Sequence, residues 1–176
     1  ICREDDVEMS NIFLIGFMGA GKTTIGSLLA DKINFNFYDT DQMIVEQESR
    51  EIVEIFKSNG EDYFRDLETS KLTEIENYKE TIFATGGGII LRQENREILK
   101  RNFSVYLKAS FETIFERIKE DTTRPLLNTE DPYSTGLKIF ESRKELYDSF
   151  TLSVDTDDIS PDLIADKIYS LYKKQK

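Results

Sequence analysis

Apolar and polar residues along the chain alternate between two periods. Residues 12–15 (Ile-Phe-Leu-Ile) form a short, wholly apolar run, as in a strand buried on both faces, and residues 24–33 then carry Ile25, Leu28, Leu29 and Ile33 at helical spacing. Residues 35–38 (Phe-Asn-Phe-Tyr) predict a second strand, followed by a helical pattern through Ile44 and Val45. From Ile52 to Tyr78 the apolar positions again recur at helical spacing, with Asn59-Gly60 as a break, so two helices are expected. Residues 81–84 predict a buried strand, 93–101 a short helix and 103–107 a fourth strand. Ser110 is a candidate N-cap for a helix bearing Phe111, Ile114, Phe115 and Ile118. Residues 120–131 are polar and aperiodic, as active-site lids often are. A helix from about Pro132 carries Leu137, Ile139, Phe140 and Leu146, and residues 150–154 predict a last strand. Ser160-Pro161 then supplies an N-cap and a proline at N1 for a closing helix with Leu163, Ile164, Ile168 and Leu171. Strands alternating with helices, without internal repeats, predict an α/β domain with a parallel sheet flanked by helices.

Three segments that directly follow predicted strands change the picture from architecture to chemistry. Residues 16–24 (Gly-Phe-Met-Gly-Ala-Gly-Lys-Thr-Thr) fit G-x-x-x-x-G-K-[ST], the phosphate-binding P-loop, or Walker A, pattern, through Gly16, Gly21, Lys22 and Thr23. Its glycines let backbone N–H groups of the stretch around Gly19, Ala20, Gly21 and Thr24 close on a polyphosphate. Lys22 is placed to reach the β/γ-phosphates of ATP, and the Thr23 hydroxyl to ligate Mg²⁺. The other two segments are Asp39-Thr40-Asp41 and Thr85-Gly86-Gly87-Gly88. Ligands of parallel sheets sit outside the carboxyl ends of the strands, so all three should converge on one cleft.

For the two aspartates, two readings stand side by side. In one, a carboxylate holds a Mg²⁺-bound water while the other accepts the hydroxyl proton of a phosphoryl acceptor. In the other, Asp39 or Thr40 caps the next helix and Asp41 is solvated in its first turn. Gly86, Gly87 and Gly88 suit backbone that must approach a ligand closely, or a tight turn. Arg65, among acids, reads as a surface ion pair with Asp62 or Glu68, and Arg143 as a solvated helix face. Arg124 sits in the suspected lid, where a cation could swing over a transferring phosphoryl group.

Composition narrows the partners. A chain of 176 residues fits one domain, taken as residues 11–176, with residues 1–10 as a flexible leader or linker remnant in which Met9 is a candidate natural start. A net charge of -11 disfavours binding to nucleic acid or anionic membrane, and it sets a global field against anionic substrates that local arginines must overcome. One cysteine, Cys2, and no histidine exclude an internal disulfide, a Cys/His zinc site and a histidine-based triad. No apolar run approaches the roughly 20 residues of a membrane span, and the acidic start lacks a signal-peptide pattern, so a cytoplasmic location is expected.

Taken in order, residues 16–24, Phe37-Tyr38-Asp39-Thr40-Asp41, Glu61-x-x-Phe64-Arg65-x-x-Glu68, Thr85-Gly86-Gly87-Gly88, Arg124-Pro125-Leu126 and Arg143-x-x-x-Tyr147 resemble the shikimate kinase family over about residues 11–172. The resemblance implies a three-layer P-loop kinase fold related to the nucleoside monophosphate kinases, with a five-stranded parallel sheet of order 2-3-1-4-5 and a lid at about 120–131. It implies a mostly monomeric enzyme that phosphorylates the 3-hydroxyl of shikimate with MgATP, on the way to chorismate and the aromatic amino acids. By the same resemblance Asp41 is the candidate base and contacts the shikimate hydroxyls. Asp39 supports Mg²⁺ through water, and Arg65 and Arg143 hold the shikimate carboxylate. Gly86, Gly87 and Gly88 line the pocket with N–H groups, Arg124 touches the phosphates, and Arg117 is an adenine-side contact. A kinase of another small hydroxylated acceptor, such as gluconate or a nucleoside monophosphate, and a non-catalytic nucleotide-binding module are the alternatives.

Overall fold

The all-apolar strand β1 (Ile12–Ile15) occupies the centre of the molecule, each of its side chains at 0% exposure. The computed structural model of the chain describes residues 10–121 and 127–175. β1 pairs in parallel with β3 (Thr81–Ala84) on one side and β4 (Phe103–Lys108) on the other, β2 (Asn36–Asp39) lies outside β3, and β5 (Ser153–Asp155) lies outside β4. The resulting five-stranded sheet has the order β2-β3-β1-β4-β5, as the family resemblance implies.

Helices cover both faces, because the pleat sends successive side chains of each strand to opposite sides. On one face Ile12, Leu14, Ile82 and Val105 pack with Ile25 and Leu29 of α1 (Lys22–Ile33) and Ile164 and Ile168 of α8 (Pro161–Lys174). On the other, Phe13, Ile15, Phe83 and Tyr106 meet α4 (Glu61–Ile75), α5 (Gln93–Arg101), α6 (Phe111–Ile118) and α7 (Pro132–Asp148) through Leu72, Leu99, Phe111 and Tyr147. A small third cluster, Ile44, Ile55 and Phe64, joins α2 (Thr40–Glu48), α3 (Ile52–Asn59) and α4. The Asn59-Gly60 break falls between α3 and α4, where Gly60 has φ 86.

Some boundaries differ from the pattern. The first helix begins at Lys22 rather than Thr24, since Gly21 takes the N-cap position with φ 91, a left-handed conformation that strains any residue bearing a Cβ. The last strand runs Ser153–Asp155 rather than 150–154. Phe150 is instead turned into the core, its N–H donating to the Tyr147 carbonyl at 3.1 Å, and sheet bonding starts where Tyr106 N–H reaches the Leu152 carbonyl at 2.9 Å. The second strand is an edge strand with half-exposed side chains. Of the suspected lid, residues 122–126, including Arg124, lie outside the described residues.

Candidate active site

The carboxyl ends of β1, β2 and β3 share one rim, and there lies a cleft of about 270 Å³. Gly19, Gly21, Lys22, Thr23 and Thr24 line it from the P-loop and α1, Asp39 from the end of β2 and Asp41 from the start of α2, Thr85 and Gly87 from the segment after β3, and Arg117 from α6. The first N–H groups of α1 open onto this cleft, which suits a polyphosphate. Lys22 is buried, and its Nζ donates to the carbonyls of Gly16 at 2.7 Å and Phe17 at 2.8 Å, so the ammonium lies along the loop. Ala20 is turned inward, its N–H donating to the Phe17 carbonyl at 3.2 Å. Arg117 Nη1 donates to the Gly19 carbonyl at 3.0 Å from the exposed side of α6.

Asp39 does two things at once. Its Oδ1 accepts from the N–H groups of Asp41 at 3.0 Å and Gln42 at 3.3 Å, capping α2, while Oδ2 accepts from Thr23 Oγ1 at 2.9 Å. A hydroxyl and a carboxylate oxygen meeting beside a phosphate loop form a hard, oxygen-only donor set. Mg²⁺ takes such a set when phosphates and water complete its shell, so these residues fit that ion. Among the described residues no group of three or more acidic or cysteine side chains offers an all-protein cage.

The remaining residues build a second half behind the cleft. Thr85 pins the glycine segment to β1, since both its N–H and its hydroxyl donate to the Leu14 carbonyl, at 3.1 and 2.9 Å. Gly86 N–H donates to Thr40 Oγ1 at 3.1 Å. Gly86 is needed for space: a Cβ there would lie 2.5 Å from both Asp41 Oδ1 and Glu68 Oε1. Asp41, in the first turn of α2, is half-buried rather than fully solvated; its Oδ1 is buried and faces the same spot as Glu68.

Arg65 is not at the surface. At 7% exposure, its guanidinium lies flat on Gly88, with Nη1 donating to Glu68 Oε2 at 2.6 Å and Nη2 to Glu61 Oε1 at 2.7 Å; Asp62 takes no part. Burial works against its charge, but Glu68 and Glu61 outweigh it and its pKa is raised. Glu68 Oε1 has no hydrogen-bond partner among the described residues. Burial pushes the Glu68 carboxyl up to about 7 against the pull of Arg65, with Asp41 adding to the rise.

Arg143 is likewise inside, at 5% exposure, and not on a solvated helix face. Its Nη1 donates to the Gly87 carbonyl at 3.2 Å, and the Tyr147 hydroxyl, one turn along α7, donates to the same oxygen. No carboxylate among the described residues lies within ion-pair distance of Arg143, and burial lowers its pKa. A buried guanidinium that feels Glu61 and Glu68 nearby but is ion-paired to neither is a site for an anion. The sequence offers Glu68 only as an ion-pair partner of Arg65 and gives Tyr147 no role; their further contacts, with the spot facing Asp41 and with the Gly87 carbonyl, come from the fold.

Comparison with known proteins decides the family. The sequence pattern described as "Shikimate kinase" matches residues 18–173. The chain belongs to the shikimate kinase family. A shikimate kinase of Thermodesulfovibrio yellowstonii is 42% identical over 167 residues, covering 94% of this chain and 96% of that protein. Among solved structures, a shikimate kinase from Acinetobacter baumannii in complex with shikimate superposes with a TM-score of 0.91 at 36% identity, covering 96% of this chain and 95% of that one. A gluconokinase from Sinorhizobium meliloti, at 16% identity and a TM-score of 0.57 over 94% of this chain and 93% of that one, shares the fold alone.

Proposed function

We propose that the protein transfers the γ-phosphoryl group of ATP to the 3-hydroxyl of shikimate, giving ADP and shikimate 3-phosphate, in the pathway to chorismate and the aromatic amino acids. The observation that carries this reading is Arg143, a buried guanidinium with no ion-paired carboxylate among the described residues, set beside Arg65 and behind the P-loop cleft. Two such cations suit bidentate recognition of an acceptor carboxylate. Asp41, which lines the P-loop cleft, accepts the hydroxyl proton as the oxygen attacks the phosphoryl group. Lys22 leaves the loop carbonyls to stabilise the charge of the transferring phosphate, with Arg124 assigned the same task by the resemblance. Thr23 and Asp39 would hold Mg²⁺, which supplies charge neutralisation at the phosphates. We place the reaction in the cytoplasm, where ATP is available; no described helix is long and apolar enough to cross a membrane.

Steady-state assays with MgATP across shikimate, gluconate and nucleoside monophosphates test this. Shikimate should have a kcat/KM at least about a hundredfold above the others, in line with a site whose buried cations reject acceptors that leave them unpaired. Equal turnover of gluconate overturns the assignment.

A further inference from the structure

Phe17 occupies a variable position of the P-loop, yet its surroundings belong to both halves of the site. Its carbonyl accepts from Lys22 Nζ at 2.8 Å. Its ring, 1% exposed, meets Phe140 edge-on with centroids 5.3 Å apart, and the Arg143 guanidinium lies 5.9 Å from the ring centroid. Phe140 and Arg143 are neighbours on one face of α7, so this ring is where α7 docks on the phosphate loop.

The support given to the two buried arginines differs in kind. Arg65 is neutralised by Glu61 and Glu68, whereas Arg143 is held by a carbonyl and an aromatic face. Neutral partners stabilise a desolvated cation without cancelling its charge, which leaves that charge for an incoming carboxylate. A carboxylate partner in place of the ring would compete with the acceptor instead.

We propose that Phe17 is a positioning residue for the acceptor, acting through Arg143: its π face fixes the guanidinium for the acceptor carboxylate while leaving the charge uncancelled. This rests on the reading of Arg143 as a carboxylate-binding residue. The consequence is unusual for a P-loop position, because altering Phe17 should affect the acceptor more than ATP.

The test replaces Phe17 site-specifically with 3,4,5-trifluorophenylalanine, which keeps the ring and its packing but drains its negative face, and compares it with Phe17→Leu. The apparent KM for shikimate should rise about three- to tenfold in the fluorinated protein, with the KM for ATP within about twofold of wild type and kcat little changed. Phe17→Leu should do the same or more. A purely packing role would leave the fluorinated protein like wild type, and that result, or an equal rise in both KM values, overturns the proposal. A second readout does not depend on the acceptor: the Arg143 side-chain Nε–H resonance should carry a ring-current shift that Phe17→Leu abolishes. An Arg143 resonance unmoved by Phe17→Leu overturns the proposal whatever the enzyme phosphorylates. A wild type inactive on shikimate with a ring-current-shifted Arg143 overturns the acceptor assignment and leaves Phe17 as the support of Arg143.

Discussion

A carboxylate buried beside a second carboxylate needs a cation to hold it, and Glu68 has Arg65 on one oxygen while the other meets only the spot it shares with Asp41. Its folded pKa of about 7 lies above an ordinary value of 4.5, so between these values the native state binds more protons than the unfolded chain. Stability from this group is fully present below about pH 4.5 and is lost as pH rises through 7. Glu68→Gln removes the titration. Thermal melts of both proteins at intervals from pH 5 to 8 should therefore show wild type losing ground to Glu68→Gln as pH rises; a constant difference would contradict the raised pKa. Asp41, half-buried over Gly86, carries a separate expectation. Asp41→Asn keeps the shape but not the base, so kcat should fall about a hundredfold or more while ATP affinity, measured by calorimetry, stays within a few-fold of wild type.

Among the elements, the glycine segment after β3 and helix α7 together form the proposed acceptor half. Gly88 leaves no room for a side chain because a Cβ there would run into the Arg65 guanidinium. Gly88→Ala should push Arg65 off its seat between Glu61 and Glu68 and raise the KM for shikimate at least about tenfold, with little change in ATP binding, since the P-loop is untouched. Kinetics with each substrate varied in turn decide this; an ATP defect as large as the shikimate defect would place the strain elsewhere. On α7, Arg143 and Tyr147 fall one turn apart and both donate to the Gly87 carbonyl, so the helix grips the glycine segment at a single oxygen. The motif spacing Arg143-x-x-x-Tyr147 shows that they share a helix face. It does not show that the face points inward, which depends on Tyr147 stacking on Tyr106 of β4, centroids 5.0 Å apart.

The whole molecule brings both halves of the proposed site together in one chain, with donor-side groups from the P-loop after β1, α1 and α6 and acceptor-side groups from α2, α4, α7 and the segment after β3. Its large exposed apolar side chains are mostly scattered: Val53 on α3, Leu91 after the glycine segment, Tyr133 on α7, Leu163 on α8. We expect a monomer, the state that the family resemblance implies. Sedimentation equilibrium should return a mass near 20.4 kDa at micromolar concentration, and a value twice that would overturn the expectation.

What the sequence determined by itself was the part of the site whose chemistry is local. The P-loop can be read from residues 16–24 because one strand, one turn and one helix N-terminus are contiguous, and their backbone geometry follows from the glycines. The alternation of strands and helices was legible for the same reason, through the periods of 2 and 3.6 residues; the last strand was misplaced because Phe150 is apolar for the helical core and not for the sheet. Only the tertiary structure decided which polar residues are buried and what faces them. Arg65 and Arg143 look alike in sequence, each in a charged helix. Folding surrounds Arg65 with carboxylates and gives Arg143 a carbonyl and a ring, partners supplied from residues 17 and 87, far away along the chain. The sequence offers Asp39 as a helix cap but gives no sign of its contact with the P-loop threonine. The fold provides both, because the two oxygens of a single carboxylate point to different elements. Burial and counter-charge are properties of non-local packing, and with them come the pKa of Glu68 and the open charge of Arg143.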